Sequence, residues 1–286
     1  MRQMVPAFAM QEVRSEGGAL GAARQQGLRV RDQRRRTILT RTVQLDVIPR
    51  LLTAHNTPLQ APSLAVAPSH VLELVQLVLS PGEPAAIAYV EAMRDGGAGA
   101  EAICLDLLAP AARRLGVMWD EDICDFTEVT VGLWRLQSAM RELSPSFLDQ
   151  RTGRADGARI LLVPLPGESH TFGLSMVHEF FRRAGWNAWS GPVASSAELA
   201  AMVRSERVDV VGFSLSCDER LEAAYTEIRA VRRASLNPGI AIMVGGPPFA
   251  GNPLLAAQLG ADGTATDGRQ AVAQAQALVE DSRARG

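Results

Sequence analysis

The spacing of apolar positions changes character near residue 158. Between about 69 and 148, apolar side chains recur every three or four positions, and breaks such as Pro81-Gly82 and Gly96-Gly97 divide the stretch into four parts. This periodicity is typical of amphipathic helices that share one core. It predicts a four-helix bundle, with Ser69 and Asp125 as N-caps of the first and fourth helices and a kink at Pro110.

From residue 159 onward, short runs rich in Val, Ile and Leu alternate with helical patterns. This alternation predicts an α/β fold with a doubly wound parallel sheet. We expect the flavodoxin-like strand order, in which the first and third strands are neighbours and the fourth lies beside the third. The predicted strands lie near 159–164, 186–189, 208–213, 239–244 and 261–265. The predicted helices cover 171–184, 196–206, 218–235, 251–258 and 267–283.

Residues 1–65 show little periodicity and contain a basic run between Arg29 and Arg41. We expect a flexible basic N-terminal arm here, which either remains solvated or contacts phosphate or an acidic partner. The expected domains are the arm at 1–65, a four-helix bundle cap at 66–148 and a Rossmann-like domain at 158–286. A linker from Ser144 to Ala158 is expected between the last two, because it contains Pro145 and two glycines.

Composition narrows the class of protein. The formal net charge is −2, so charge gives no reason to expect nucleic-acid binding, and no helix-turn-helix pattern is evident. No apolar stretch approaches the ~20 residues that cross a bilayer, and no signal-peptide segment is visible. Cys104, Cys124 and Cys217 lack metal-ligand spacing and are expected to be reduced. We expect a cytoplasmic protein without membrane contact, which meets DNA only indirectly.

Three polar or glycine-rich segments each follow a predicted strand. They are Glu168-Ser-His170-Thr-Phe-Gly173, Gly212-Phe-Ser214-Leu-Ser216 and Gly245-Gly246-Pro247. Because ligands bind outside the carboxyl ends of strands in open parallel sheets, we expect all three segments at one functional edge.

His170 is the chemically most informative residue of these segments. Glu168 can accept a proton from one ring nitrogen and leave the other nitrogen as a lone-pair donor. A single histidine cannot build a zinc site, but it can be the axial ligand of a haem or a corrinoid, which brings its other donors. Gly173 and the Gly245-Gly246 pair would leave room for a large ligand. The alternative is a helix-capping histidine beside two ordinary turns.

These segments resemble the cobalamin-binding fold of methionine synthase and methylmalonyl-CoA mutase, whose pattern is Asp-x-His-x-x-Gly, then Ser-x-Leu, then Gly-Gly. The chain departs from it at Glu168, which replaces aspartate, and at Ser216, which replaces leucine. The resemblance implies that His170 is the lower cobalt ligand and Glu168 its partner. It also implies the remaining cofactor-binding residues, namely Thr171, Gly173, Ser214, Ser216, Gly245 and Gly246.

The helical half adds a second resemblance. Leu115-Gly-Val-Met-Trp119 is similar to the cap over the upper cobalt face in light-sensing cobalamin proteins, which makes Trp119 a further cofactor-binding residue. Those photoreceptors carry histidines where this chain has Asp120 and Thr130, so this cap offers no upper histidine. The alternative for Trp119 is a core aromatic between helices.

Nearly the whole chain resembles the AerR/PpaA family of purple photosynthetic bacteria, through Pro166-Gly-Glu-Ser-His-Thr-Phe-Gly-Leu174, Trp119-Asp-Glu-Asp122 and the basic arm. The resemblance implies a light-responsive antirepressor, not an enzyme, that binds adenosylcobalamin or hydroxocobalamin. The implied partner is a CrtJ/PpsR-type repressor of photosystem genes. A related branch of the fold binds haem, so a haem-based redox or gas sensor is one alternative, and a corrinoid methyl-carrier subunit is the other.

Overall fold

Four helical segments form the amino-terminal part of the structure, a computed structural model that describes residues 64–81, 84–149, 157–168 and 170–285. The helices are α1 (Pro68–Leu79), α2 (Pro84–Asp95), α3 and α4 (Phe126–Asp149). α3 comprises α-helical Ala100–Ala102, π-helical Ile103–Leu108 and α-helical Ala109–Asp120. Their inward faces share one apolar core, as the periodicity predicts; six fully buried members are Leu74, Val78, Ile103, Leu107, Leu115 and Leu136. The predicted arm lies outside the described residues except for 64 and 65.

Of the two predicted N-caps in the bundle, the one of the fourth helix agrees with the structure and the one of the first helix does not. Asp125 and Glu128 form a reciprocal capping box at the start of α4, because each side chain accepts the other residue's backbone N–H. The prediction of Ser69 as the first N-cap is wrong. α1 begins at Pro68, which suits the first turn because it has no N–H to satisfy, and His70 Nδ1 accepts the N–H of Ala67 at 3.1 Å.

Two prolines sit inside helical segments. Before Pro110, α3 widens into its π-helical stretch, where the Ala109 N–H donates to the Cys104 carbonyl five residues earlier. α4 continues through Pro145 to Asp149, so the predicted linker start at Ser144 is wrong. Burial of Leu143 and Phe147 on either side of Pro145 shows why: the apolar face of the helix continues across the proline.

The carboxyl-terminal part is a parallel sheet in the order β2-β1-β3-β4-β5. Its strands are β1 (Arg159–Pro164), β2 (Asn187–Ser190), β3 (Val210–Ser214), β4 (Ala241–Gly245) and β5 (Gly263–Thr264). Every neighbouring pair is parallel. This confirms the predicted doubly wound fold and the flavodoxin-like order.

Helices cover both faces of the sheet. They are α5 (Phe172–Arg183), α6 (Ser196–Ser205), α7 (Leu221–Ala234), α8 (Pro253–Gln258) and α9 (Gly268–Arg285). α5 and α9 pack on one face, where Phe181 and Ala275 are buried, and α6, α7 and α8 pack on the other, where Leu199 and Ile228 are buried. Burial on both faces explains why the strands read as nearly continuous apolar runs.

α5 connects the bundle to the sheet. Its Met176 and Phe180 belong to the core of the bundle, whereas its Leu174 and Phe181 belong to the core against the sheet. α4 lies parallel to α5, since Gln137 contacts Ser175, Ser144 contacts Glu179 and the Phe147 ring meets the Phe180 ring in order along both helices. About the first two turns of α4 therefore extend beyond the start of α5, on the side of the carboxyl edge of the sheet.

Candidate cofactor-binding site

The three segments singled out in the sequence follow adjacent strands. Pro164 at the end of β1 lies opposite Ser214 at the end of β3, and Ser214 lies opposite Gly245 at the end of β4. The loops that leave these strands therefore meet at one edge. In a parallel sheet of this order, the edge between β1 and β3 is the topological switch point, where ligands bind.

Glu168 is a buried carboxylate held from two sides. Its side chain is 1% exposed. Oε1 accepts the backbone N–H of His170 at 2.9 Å and lies 2.6 Å from His170 Nδ1, and Oε2 accepts the backbone N–H of Ser216 at 2.9 Å. The predicted binding role of the Ser216 hydroxyl is thus joined by a structural role of its main chain.

Hydrogen bonding keeps Glu168 ionised. Burial alone raises the pKa of a carboxyl group, but hydrogen bonds from Ser216 and His170 outweigh burial and lower the pKa of Glu168 to about 2. An ionised carboxylate can only accept, so the His170 nitrogen that faces it, Nδ1, carries a proton. In the neutral ring, Nε2 then carries the lone pair.

His170 presents this lone pair to solvent, because its side chain is 62% exposed. The other histidines of the described chain differ. His178 Nε2 donates to the Ala188 carbonyl at 3.2 Å and its Nδ1 lies 3.6 Å from Glu179, whereas His70 Nδ1 caps α1. His55 lies outside the described residues. Within them, no group of three or more His, Cys, Asp or Glu side chains could hold a metal ion.

Arg220 is a site residue that sequence reasoning did not find. It lies at the end of a 3-10 turn, Asp218–Arg220, directly before α7. Its guanidinium donates to the carbonyls of Pro166 and Gly167, and its Nε lies 3.8 Å from Glu168 Oε2. More than fifty positions separate Arg220 from this loop, so no local pattern could have indicated the contact.

The glycines divide into two kinds. Gly246 has φ +118°, and a Cβ there would lie 1.8 Å from the Leu215 carbonyl oxygen, so the backbone itself requires glycine. A Cβ at Gly173 would meet nothing within 4 Å, and one at Gly245 would meet only the Ala265 carbonyl at 4.0 Å. These two positions are therefore open towards the edge and keep space for a ligand.

Ser214 and Thr171 complete the predicted set. Ser214 is half-buried and, by strand alternation from Val210, lies on the sheet face that packs against α5 and α9. Gly245 lies on the same face, by alternation from Ala241. Thr171 precedes α5 directly, is half-buried and makes no capping bond with its side chain. Ser214, Gly245 and Thr171, which are all small residues, thus lie between the carboxyl edge of the sheet and the start of α5.

Exposed aromatic side chains lie on the bundle near this edge. Trp119 is 43% exposed, and its ring meets the ring of Phe126 edge to face at 6.2 Å, so the alternative of a core tryptophan is wrong. Phe126 and Trp134 are 68% and 47% exposed. Helical geometry places both within about 60° of Gln137, which contacts Ser175 of α5. An exposed apolar patch of this kind marks a binding surface.

One further cavity lies away from these residues. It has a volume of about 240 Å³ and is bordered by Arg207, Asp209 and Gly239, which precede β3 and β4. It is therefore at the opposite, amino edge of the sheet. None of the predicted site residues lines it.

The residues at the carboxyl edge suit a corrinoid. A corrin ring supplies four equatorial nitrogens, so it needs one axial donor from the protein, and His170 Nε2 is one exposed donor with a fixed tautomer. The open positions at Gly173 and Gly245 provide the space that a bulky ring and its nucleotide tail require. The donor set and the space both fit.

Comparison with known proteins agrees with this reading. The family model "B12 binding domain" matches residues 158–275. A curated relative, described as an uncharacterized 20.5 kDa protein in the bchF-crtJ intergenic region of Rhodobacter capsulatus, is 28% identical over 163 residues, which are 57% of this chain and 84% of the relative. The chain therefore contains a cobalamin-binding domain.

A solved structure shows the same fold. The monomethylamine corrinoid protein of Methanosarcina barkeri superposes with a TM-score of 0.60 over 74% of this chain and 98% of its own, at 15% identity. The likeness therefore includes part of the helical half as well as the sheet. Among the described residues, no helix is long and apolar enough to cross a membrane.

Proposed function

We propose that the protein is a cobalamin-dependent, light-responsive regulator of transcription that acts by binding a repressor and not by catalysis. The observation that carries the cofactor part is the exposed Nε2 of His170, whose tautomer is fixed by Glu168. The regulatory part is supported by the resemblance to the AerR/PpaA antirepressors and by the relative in the bchF-crtJ intergenic region.

In this proposal, His170 Nε2 would hold the cobalt of the cofactor and Glu168 would keep the imidazole ring oriented. The tail of the cofactor lies between the sheet and the helices α5 and α9, where Ser214 and Gly245 border the sheet and Gly173 borders the helix. Cobalamin with an alkyl upper group supplies a cobalt–carbon bond that visible light breaks. The residues of the chain bind the corrin, orient its lower ligand and exclude water from it.

The exposed aromatic patch would cover the upper face. Trp119, Phe126 and Trp134 provide exposed aromatic side chains on the bundle, and Phe126 lies on the turns of α4 that extend past the start of α5. Their neighbours Asp120 and Thr130 are not histidines, so a second donor to the cobalt would be water or a histidine outside the cap, such as His55.

The test is the absorption spectrum of the protein loaded with adenosylcobalamin in the dark. We expect a corrin spectrum that shows a histidine bound to cobalt. This histidine signature should disappear in His170→Ala and persist in His178→Ala, because His178 Nε2 already donates to the Ala188 carbonyl. A histidine-ligated spectrum that survives His170→Ala but not His178→Ala would refute the assignment. A Soret band after reconstitution with haem, without cobalamin binding, would favour the haem sensor instead.

A further inference from the structure

We propose that Arg220 is a positioning residue for the lower ligand: it fastens the loop between β1 and α5 so that Glu168 and His170 are already in place before the cofactor arrives. This inference rests on the proposed cobalamin-binding role of His170. Arg220 belongs to neither the histidine segment nor the glycine segments, and its role follows from its contacts alone.

Arg220 makes three separate contacts with three consecutive residues of the loop. Nη1 donates to the Pro166 carbonyl at 3.2 Å, Nη2 donates to the Gly167 carbonyl at 2.7 Å, and Nε lies 3.8 Å from Glu168 Oε2. A planar guanidinium with five fixed donors can hold two successive carbonyls and a carboxylate in one geometry, whereas an ammonium group has only three donors and no fixed fork.

The loop needs such a fastener because of its backbone. Gly167 has φ +82°, which side chains other than glycine rarely adopt, and it lies in a turn that the Glu168 N–H closes by donating to the Leu165 carbonyl at 2.8 Å. A Cβ on Gly167 would lie 3.2 Å from Arg220 Nη1, so the guanidinium packs directly against the bare glycine backbone. The glycine and the arginine therefore fit each other.

The contacts of Arg220 also connect the loop that carries His170 to helix α7. Arg220 is the N-cap residue of α7, and Ser216, which donates to Glu168, lies four residues before it. The segment between β3 and α7 thus holds the carboxylate through the Ser216 N–H and holds the loop through Arg220. Removing Arg220 leaves the Ser216 bond but frees the two carbonyls, so the His170 ring should lose its fixed position.

Replacing Arg220 should not unfold the protein, because its side chain is about one-third exposed and lies outside the apolar cores. The test compares Arg220→Gln and Arg220→Lys with a matched control, Arg229→Gln. Arg229 lies on the exposed side of the same helix and contacts Tyr225. Circular dichroism and thermal unfolding verify that each variant is folded.

The first readout is electron paramagnetic resonance of the protein loaded with cob(II)alamin after uniform ¹⁵N labelling. The ¹⁵N label distinguishes a protein histidine, which gives a two-line splitting, from the ¹⁴N base of the cofactor. We expect Arg220→Gln to lose most of the ¹⁵N-coordinated fraction and to bind cobalamin roughly tenfold more weakly. Arg220→Lys should fall between it and the wild type, and Arg229→Gln should match the wild type.

The second readout needs no cofactor. Amide hydrogen exchange in the loop residues 165–168 should become faster in cofactor-free Arg220→Gln and stay unchanged in Arg229→Gln. Unchanged exchange together with an unchanged ¹⁵N-coordinated fraction would overturn the proposal, as would equal losses in Arg220→Gln and Arg229→Gln. If Arg220→Gln does not fold, the same comparison with Arg220→Lys decides.

The two hypotheses fail in different ways. Absence of ¹⁵N coordination in the wild-type protein would refute His170 as the ligand, whereas faster loop exchange in Arg220→Gln would still support the fastening role of Arg220. Normal coordination in the wild type with no effect of Arg220→Gln would refute the fastening role and leave the proposed function intact.

Discussion

Glu168 illustrates how a single side chain can link two loops and a ligand. Its Oε2 accepts the backbone N–H of Ser216 in the loop after β3. Its Oε1 accepts the backbone N–H of His170 and also faces Nδ1 of the His170 ring. The extra methylene relative to aspartate does not prevent this geometry, because the ring nitrogen lies 2.6 Å from the carboxylate. A charged partner at this distance makes the opposite nitrogen a better donor.

Glu168→Gln should weaken the axial bond without abolishing cofactor binding. The amide oxygen can still accept the Ser216 N–H, but the negative charge beside Nδ1 is lost. We expect a smaller histidine-ligated fraction in the spectrum of the loaded protein, with cobalamin still bound. Glu222→Gln, on the exposed face of α7, is the control; an identical spectrum in Glu168→Gln and the wild type would contradict this role of the charge.

The two glycines Gly246 and Gly173 make a matched pair. Gly246→Ala should lower the free energy of unfolding by at least about 2 kcal/mol, because φ +118° and the contact with the Leu215 carbonyl both exclude a Cβ. Gly173→Ala has open space around the new methyl group and should leave stability nearly unchanged. Chemical denaturation of the cofactor-free protein measures both. Equal stability of the two variants would show that the loop after β4 can relax.

Much of the site could be predicted from the sequence, because its residues directly follow strands that the local pattern reveals. The role of Arg220 could not, since it depends on which loops the strand order brings together. Nor could the exposure of Phe126 and Trp134, because each has an apolar side chain at a position that also suits a core. The signal that could have found them is their spacing on α4, which places both on one side of that helix, within about 80° of each other.

At the scale of elements, α5 determines how the two halves of the described chain are joined. Glu179, on α5, accepts the Ser144 hydroxyl of α4 at 2.6 Å, and Arg182 donates to Glu179 as well. Burial raises the pKa of Glu179, but the neighbouring His178 ring, the hydrogen bond from Ser144 and the charge of Arg182 outweigh it and lower the pKa to about 2.

This lowered pKa predicts an acid-sensitive contact between α4 and α5. A carboxyl group whose folded-state pKa is depressed stabilises the fold fully above its ordinary value of 4.5, and this contribution is lost as the pH falls towards about 2. We expect the free energy of unfolding of the wild type to fall over that window. In Glu179→Gln the fall should be smaller, whereas the exposed control Glu142→Gln should behave as the wild type. Parallel curves for wild type and Glu179→Gln would contradict the assignment.

Element bounds were predictable where the pattern is local. The five strands lie within two residues of their predicted positions, because β-branched runs buried on both faces end abruptly at glycines and polar residues. The π-helical stretch before Pro110 and the helix through Pro145 were not predictable. In both cases tertiary burial of neighbouring apolar side chains outweighs the local cost of a proline.

At the scale of the whole described chain, a charged cluster joins the bundle to α9 as well as to α5. Glu101, at the start of α3, pairs with Arg183 at the end of α5 and with Arg269 at the start of α9. The side chains of Glu101 and Arg183 are mostly buried, whereas Arg269 is 70% exposed, and the Arg183 guanidinium also packs over the Phe147 ring. Any displacement of the bundle relative to the sheet would have to move Glu101 of α3 away from Arg183 and Arg269.

Removal of residues 1–60 should leave cofactor binding intact, because the donor, the glycines and the aromatic patch all lie in the described residues 64–285. The absorption spectrum and affinity of the truncated protein for adenosylcobalamin measure this. Its binding to the repressor should be weaker, if the arginines between Arg29 and Arg41 contact the partner. Loss of cofactor binding on truncation would instead place an upper ligand, such as His55, in the arm.

Light should change the affinity for the repressor through the space between the aromatic patch and the sheet edge. In the proposed function, a bulky alkyl group held against Trp119 and Phe126 would favour one position of the bundle, and its loss upon illumination would shift a two-state equilibrium. A coupling of about 1–3 kcal/mol, the usual range for allostery, corresponds to a roughly 5–150-fold change in affinity. A pull-down with a CrtJ/PpsR-type repressor, using protein loaded with adenosylcobalamin and kept dark or illuminated, measures it. Equal binding in both states, with photolysis verified by absorbance, would exclude light sensing and leave regulation by the presence of the cofactor alone.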